Sequence, residues 1–141
     1  MALEKISNDE HCFCCGKKND RGFHLEFSYP EEGTARSSLT VPDFCTGWEE
    51  LTHGGFISML LDEVMAHACI GRGLQGVTAE LTVRFKRPLP VGTTIQVVAS
   101  AEDAKGRIVK TEGTLQDDTG ITYATGSAKF MVTGRSGARS S

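Results

Sequence analysis

The sequence predicts an α+β fold, with one long buried helix held in the concave face of a curved antiparallel sheet of five to six strands. Three observations carry this. The stretch from Gly54 to Ile70 is apolar almost throughout, from Phe56 and Ile57 to Cys69 and Ile70, and a helix apolar on nearly every side is enclosed by protein. The segments around it alternate apolar and polar residues, the period of a half-buried strand. Short turns rich in glycine, proline and aspartate join them, and hairpin turns make antiparallel neighbours.

In chain order, residues 1–22 form a cysteine-containing lead-in with turn chemistry at Asn19-Asp20-Arg21-Gly22. Phe23 to Tyr29 alternates and predicts a strand, Pro30 to Gly33 a hairpin turn, and Thr34 to Val41 a second strand. Pro42 to Thr52 is a loop. The helix follows, and Gly71-Arg72-Gly73 stops it, because glycine readily takes the left-handed conformation of a helix end. Val77, Ala79, Leu81, Val83 and Phe85 alternate with Thr78, Glu80, Thr82, Arg84 and Lys86 in a third strand. After the turn Pro88–Gly92 come strands at Ile95–Ala101, 108–116 and 121–132, separated by turns at Ala104–Arg107 and Asp117–Gly120. One domain is expected over 1–133, with 134–141 as a disordered tail of small and polar residues.

Composition excludes several classes of function. A net charge of −3 gives no electrostatic footprint for nucleic acid. No apolar run approaches the roughly 18–20 residues that span a bilayer, and the start lacks the apolar core of a secretory signal. A cytoplasmic chain with reduced cysteines is expected, and five cysteines cannot form a closed set of disulfides.

The chemistry concentrates in Thr52-His53-Gly54-Gly55 and the carboxylates Asp62 and Glu63 two turns further on. The N–H groups that open a helix are unpaired and carry partial positive charge, so Gly54 and Gly55 offer an oxyanion-type site. A carboxylate on a helix largely out of water must be paired, hydrogen-bonded or set in a cleft. Adjacent helical residues point about 100° apart, so Asp62 and Glu63 take different surroundings. Glu63 precedes His67 by four residues and is expected to pair with it. A helix start repels positive charge, so His53 is expected neutral; it is a candidate catalytic residue as a general base, beside the plainer role of fixing the loop by hydrogen bonding. His11, Cys12, Cys14 and Cys15 resemble part of a zinc site, but Cys45 and Cys69 are lone and Cys69 belongs to the buried helix, so no metal is expected.

His53-Gly54-Gly55, Leu60-Leu61-Asp62-Glu63, Val77-Thr78-Ala79-Glu80-Leu81 and Val83-Arg84-Phe85-Lys86-Arg87-Pro88 together resemble the hotdog-fold acyl-CoA thioesterases, in the branch that includes the phenylacetate-pathway thioesterase. Cys12-Phe13-Cys14-Cys15-Gly16 resembles the start of one subgroup. The resemblance covers most of the chain and implies a hotdog fold and hydrolysis of an acyl-CoA thioester without a cofactor. It implies that the Gly54 N–H polarises the thioester carbonyl, with Gly55 beside it. Asp62 attacks the carbonyl or activates water, and Thr78 holds the carboxylate or the water. The two halves come from different subunits of a homodimer or homotetramer. Relatives carry Asn or Gln shortly before the glycine motif; Phe44-Cys45-Thr46-Gly47-Trp48 has neither, and Thr46 is the candidate substitute. Arg84, Lys86, Arg87 and Arg107 are candidates for the phosphates of coenzyme A, and Glu63 for the substrate-binding surface. The expected partners are acyl-CoA and further copies of the chain, with neither nucleic acid nor membrane.

Two rivals stand beside hydrolysis. A non-catalytic acyl-CoA-binding module suits the missing Asn or Gln but not the retained Asp62. An enoyl-CoA hydratase on the same fold needs an acid–base pair, which His53 and Asp62 would have to supply.

Overall fold

A computed structural model of the chain describes residue 10 and residues 12–135. Seven strands and one α-helix follow in the order β1 (Thr34–Thr40), β2 (Thr46–Trp48), β3 (Leu51–Thr52), α1 (Gly54–Ile70), β4 (Leu74–Phe85), β5 (Thr94–Ala101), β6 (Ile108–Asp117) and β7 (Thr122–Arg135). Five strands form one sheet in the order β1-β5-β6-β7-β4, with every neighbour antiparallel. The helix packs across all five. Leu60, Leu61, Val64 and Met65 are fully buried against Ile95, Val97, Val109, Leu115, Ala124 and Phe130. The expected α+β architecture is therefore the observed one.

Close seating of the helix depends on a row of small residues across the sheet. Ala99 lies opposite Gly113, and Gly113 opposite Gly126. A Cβ on Gly113 would come within 3.2 Å of Met65 Cγ, and one on Gly126 within 3.1 Å of Met65 Cε, so both glycines are spaces that Met65 fills.

The structure corrects several expectations. Phe23 to Tyr29 is not a strand: His24 has φ 52°, a left-handed conformation that breaks extension, and within it only Ser28 pairs, to Arg36. Its alternation reports burial instead, since Leu25 is in the core and Phe23, Phe27 and Tyr29 pack against it. The short pair β2–β3 falls inside the expected loop. Gly71 is right-handed; Gly73, at φ 78°, makes the left-handed stop. The last strand runs on to Arg135, with Gly134 paired to Gln75 and Arg135 to Leu74, so these two residues, expected in the tail, belong to the strand. Residues 136–141 and His11 lie outside the described residues.

One irregularity bears on function. Thr78 lies opposite Phe130 and Glu80 opposite Lys129, so Ala79 is an extra residue in β4, a β-bulge. Cross-strand partners share a face, and Phe130 faces the helix. Strict alternation would turn Thr78 to the convex face with Glu80, Thr82 and Arg84. The bulge inverts the alternation and brings Thr78 to the helix side.

Candidate active site

The first functional group is the start of α1. His53 is its N-cap: the residue is extended, and its Nδ1 accepts the Gly55 N–H at 2.8 Å. Nδ1 is therefore unprotonated, as expected of a histidine that fixes the loop. The His53 N–H is held by the Cys45 carbonyl at 2.8 Å. Gly55 is thus occupied by His53, whereas the Gly54 N–H donates no hydrogen bond among the described residues. It opens on a cleft of about 360 Å³ lined by Trp48, Leu51, Thr52, Ile57, Phe85, Lys86, Arg87, Pro88 and Leu89. The cleft is mainly apolar, with two cations at its rim. The Thr52 hydroxyl is buried and unpartnered in this same wall. Thr46 is exposed on β2, directly opposite the wall residue Thr52 on the neighbouring strand, and does not itself line the cleft.

The second group is the pair Asp62 and Thr78. The Thr78 hydroxyl donates to Asp62 Oδ1 at 2.7 Å, a contact the bulge at Ala79 makes possible. Burial pushes the Asp62 carboxyl above its ordinary range; the Thr78 hydrogen bond opposes this and the neighbouring Glu63 charge adds to it. Asp62 is eight residues along the helix from Gly54, about 12 Å at 1.5 Å per residue. One carbonyl carbon cannot touch both groups of the same chain.

Glu63 faces elsewhere. Its Oε1 is 3.4 Å from His67 Nε2, 3.2 Å from Cys15 Sγ and 3.8 Å from Cys12 Sγ. Burial would raise this carboxyl, but the bonds and charge of His67 and the thiols of Cys15 and Cys14 together hold it below its ordinary range. Tyr29 Oη meets His67 Nδ1 at 2.8 Å, and Phe27 stacks on the imidazole at 3.8 Å between ring centroids. The expected Glu63–His67 pair is present, within a thiol cluster that the spacing of residues did not announce.

The basic residues do not form one patch. Lys86 and Arg87 line the Gly54 cleft. Arg84 lies with Thr82, Glu112, Thr114, Thr125 and Ser127 on the sheet face turned away from the helix. Arg107 lies at the other end of the sheet, where its carbonyl holds the Val132 N–H. Sequence reasoning missed Trp48, Phe85 and Thr52 as cleft walls. Phe85 was legible as the last apolar position of its alternation; Trp48, 75% exposed in a three-residue strand, left no periodic signal.

A helix wrapped by an antiparallel sheet, with a bare N–H at its start and a carboxylate two turns on, defines a hotdog fold with an electrophilic helix end. The chain belongs to the thioesterase superfamily, whose family model matches residues 50–124. It is similar to an uncharacterized mitochondrial protein of Candida albicans, 38% identical over 94 residues, covering 65% of this chain and 42% of that protein. It is similar also to the acyl-coenzyme A thioesterase PaaI of Escherichia coli, 33% identical over 69 residues, or 49% of each chain. The chain spans less than half the length of these curated relatives. Among solved structures, the thioesterase superfamily protein RHA08564 aligns with a TM-score of 0.80 at 24% identity, over 86% of this chain and 63% of that one. A Streptococcus mutans protein bound to acetyl-CoA aligns with a TM-score of 0.74 at 19% identity, over 79% of this chain and 90% of that one. Among the described residues no helix is long and apolar enough to cross a membrane.

Proposed function

We propose that the chain is an acyl-CoA thioesterase, hydrolysing the thioester to a free acid and coenzyme A, and that it works as a homodimer or a pair of dimers. The observation that carries this is Gly54, whose N–H donates no hydrogen bond among the described residues and which lines a mainly apolar cleft together with Lys86 and Arg87. A thioester carbonyl placed there meets a fixed donor at the positive end of a helix, which stabilises the negative charge that develops on its oxygen. The Thr52 hydroxyl, buried without a partner behind the cleft wall, is the candidate for a second donor if its side chain turns toward the cleft, a role the sequence reading gave to Thr46. Lys86 and Arg87 attract the phosphates of coenzyme A.

Asp62, poised by Thr78, takes a proton from water as it adds to the carbonyl, or itself adds and is released by water. In either course the C–S bond breaks and the departing thiolate ends as the thiol of coenzyme A. Because Asp62 and Gly54 lie about 12 Å apart along one helix, the site is complete only when a second copy supplies one of them. β4 supports this: its outer edge pairs with nothing among the described residues, and Leu81 and Phe85 are 37% and 53% exposed. The similarity to PaaI and to a protein holding acetyl-CoA supports the substrate class. His53 holds its Nδ1 on the helix cap, so only its Nε2 remains for the acid–base pair that the hydratase reading needs.

The test is thiol release from short, long and aromatic acyl-CoAs, with Asp62→Asn in parallel. Turnover by the parent and a loss of roughly 10²–10⁴-fold in the variant, the usual effect of removing a general base, are expected. Binding without hydrolysis by the parent would replace the enzyme with a binding module. Turnover of the variant within a few-fold of the parent would remove Asp62 from the mechanism.

A further inference from the structure

We propose that Cys12, Cys15, Glu63 and His67 form a tetrahedral site for a zinc-class divalent metal ion, clamping the N-terminal segment to the middle of α1. The donor atoms of Cys15, Glu63 and His67 lie within 4.8 Å of one another, and so do those of Cys12, Cys14 and Glu63, which shares both groups. Zinc bonds of 2.0–2.3 Å set at tetrahedral angles place neighbouring ligands about 3.3–3.8 Å apart. Glu63 Oε1 stands 3.2 Å from Cys15 Sγ, 3.4 Å from His67 Nε2 and 3.8 Å from Cys12 Sγ. Glu63 therefore has three neighbours at nearly the length of a tetrahedral edge, each from a residue type that ligates zinc; Cys12 stands outside the group of Cys15, Glu63 and His67, and it is the ligand that closes in when an ion binds. Counting ligands along the sequence gave too few because only cysteines and His11 were counted; the fold adds the carboxylate and the imidazole.

Further features fit an ion. The C-x-x-C spacing of Cys12 and Cys15 is that of a thiolate pair on one turn. That turn admits no side chain at Gly16, where a Cβ would lie 2.5 Å from the Cys12 nitrogen. His67 is oriented by Tyr29 on Nδ1, which leaves Nε2 aimed at the cluster, as in metal sites where the second ring nitrogen is fixed by a partner. The cluster lines a small open pocket in which Gln75 Oε1 is buried without a partner, so the site is reachable and still has an unused acceptor. Between Cys12 and Gly33 no regular strand or α-helix holds the chain, and a metal link would supply the order that a ladder supplies elsewhere. Cys14, 2% exposed, packs into the core beside Glu63 and is the cysteine left out of the set.

Binding converts two thiols to thiolates and requires a neutral imidazole at His67, so the two thiol protons, and a third where His67 is charged, pass to buffer. No step of the proposed hydrolysis runs through the ion, so metal content is read apart from activity. The experiment measures metal by elemental analysis on protein as isolated, then reconstitutes metal-free protein with Co²⁺. About one zinc per chain and an intense thiolate-to-cobalt absorption are expected from a site of this ligand set. Cys15→Ser and His67→Gln should each lower metal content and weaken or shift the cobalt band, while Cys14→Ser keeps both. If a variant fails to fold, zinc titration of the metal-free parent still decides, because proton release measured in two buffers must lie between about two and three per chain. Absence of a cobalt–thiolate band in the folded parent overturns the proposal. So does full metal content in both Cys15→Ser and His67→Gln.

Discussion

Replacing Thr78 by valine isolates what one hydrogen bond does for Asp62. The side chains are nearly the same size, so the chief change is loss of the donor 2.7 Å from Asp62 Oδ1. Burial raises this carboxyl and Thr78 opposes the rise, so the variant's Asp62 should hold its proton to higher pH. A hydrogen bond to a charged group contributes about 1.5–3 kcal/mol. Asp62 is only half-buried, which favours the low end, and about 1.5 kcal/mol corresponds to about one pH unit. A base works when ionised. The acid limb of kcat/KM should therefore move up by about one unit, and the rate on that limb should fall about tenfold at fixed pH. The plateau at higher pH should largely recover. Thiol release read with a reagent whose colour does not titrate gives the profile, and Thr78→Ser should restore it. An unmoved limb with a lowered plateau would mean that Thr78 does not act through Asp62. A limb moved to lower pH would contradict the electrostatics outright.

Asp62→Asn should also raise the melting temperature at neutral pH. A carboxyl whose folded-state titration lies above its unfolded value costs stability in full once pH has risen through the folded value, so the gain should shrink as pH falls through that value and vanish below the unfolded one; calorimetry across pH checks this. Gly126→Val should destabilise by about 1–3 kcal/mol, because its side chain would enter the space held by Met65 Cε, as denaturant melts would show. Asp62→Asn and Gly54→Pro should each be inactive alone and partly active when refolded together, since a mixed dimer contains one undamaged site. Proline suits the first helical position, and His53 before it is already extended, at ψ 131°, so the second variant removes a donor without breaking the helix. Well-folded mixed dimers with no recovered hydrolysis would place both groups in one subunit.

Residue pattern made the helix and most of the sheet legible because burial is what apolar periodicity records. Val97, Val109 and Leu115 occupy core positions that alternation alone assigns. The same pattern misled at Phe23–Tyr29, where residues alternate in burial without joining a ladder. It misled again at Val77, because an extra residue at Ala79 changes which face every preceding side chain takes, and no local signal marks it. Gly54, Asp62 and Thr78 were legible through a resemblance between motifs. The resemblance left open whether Thr78 holds the carboxylate or a water, and the fold shows it on the carboxylate, across sixteen positions. The cysteine cluster shows the limit most clearly: Glu63 and His67 announce each other by spacing, but Cys12 and Cys15 lie about fifty positions away and meet them only through tertiary structure.

Trp48 has a practical consequence. It is the only tryptophan of the chain, it is largely solvent-exposed, and it stands at the mouth of the cleft above Gly54. Indole emission shifts to shorter wavelength when water is displaced from the ring. The chain thus carries its own label-free optical reporter, placed where an arriving ligand or a second copy would dry it. Occupancy and assembly become separable by a dilution series, since one signal follows ligand concentration and the other protein concentration.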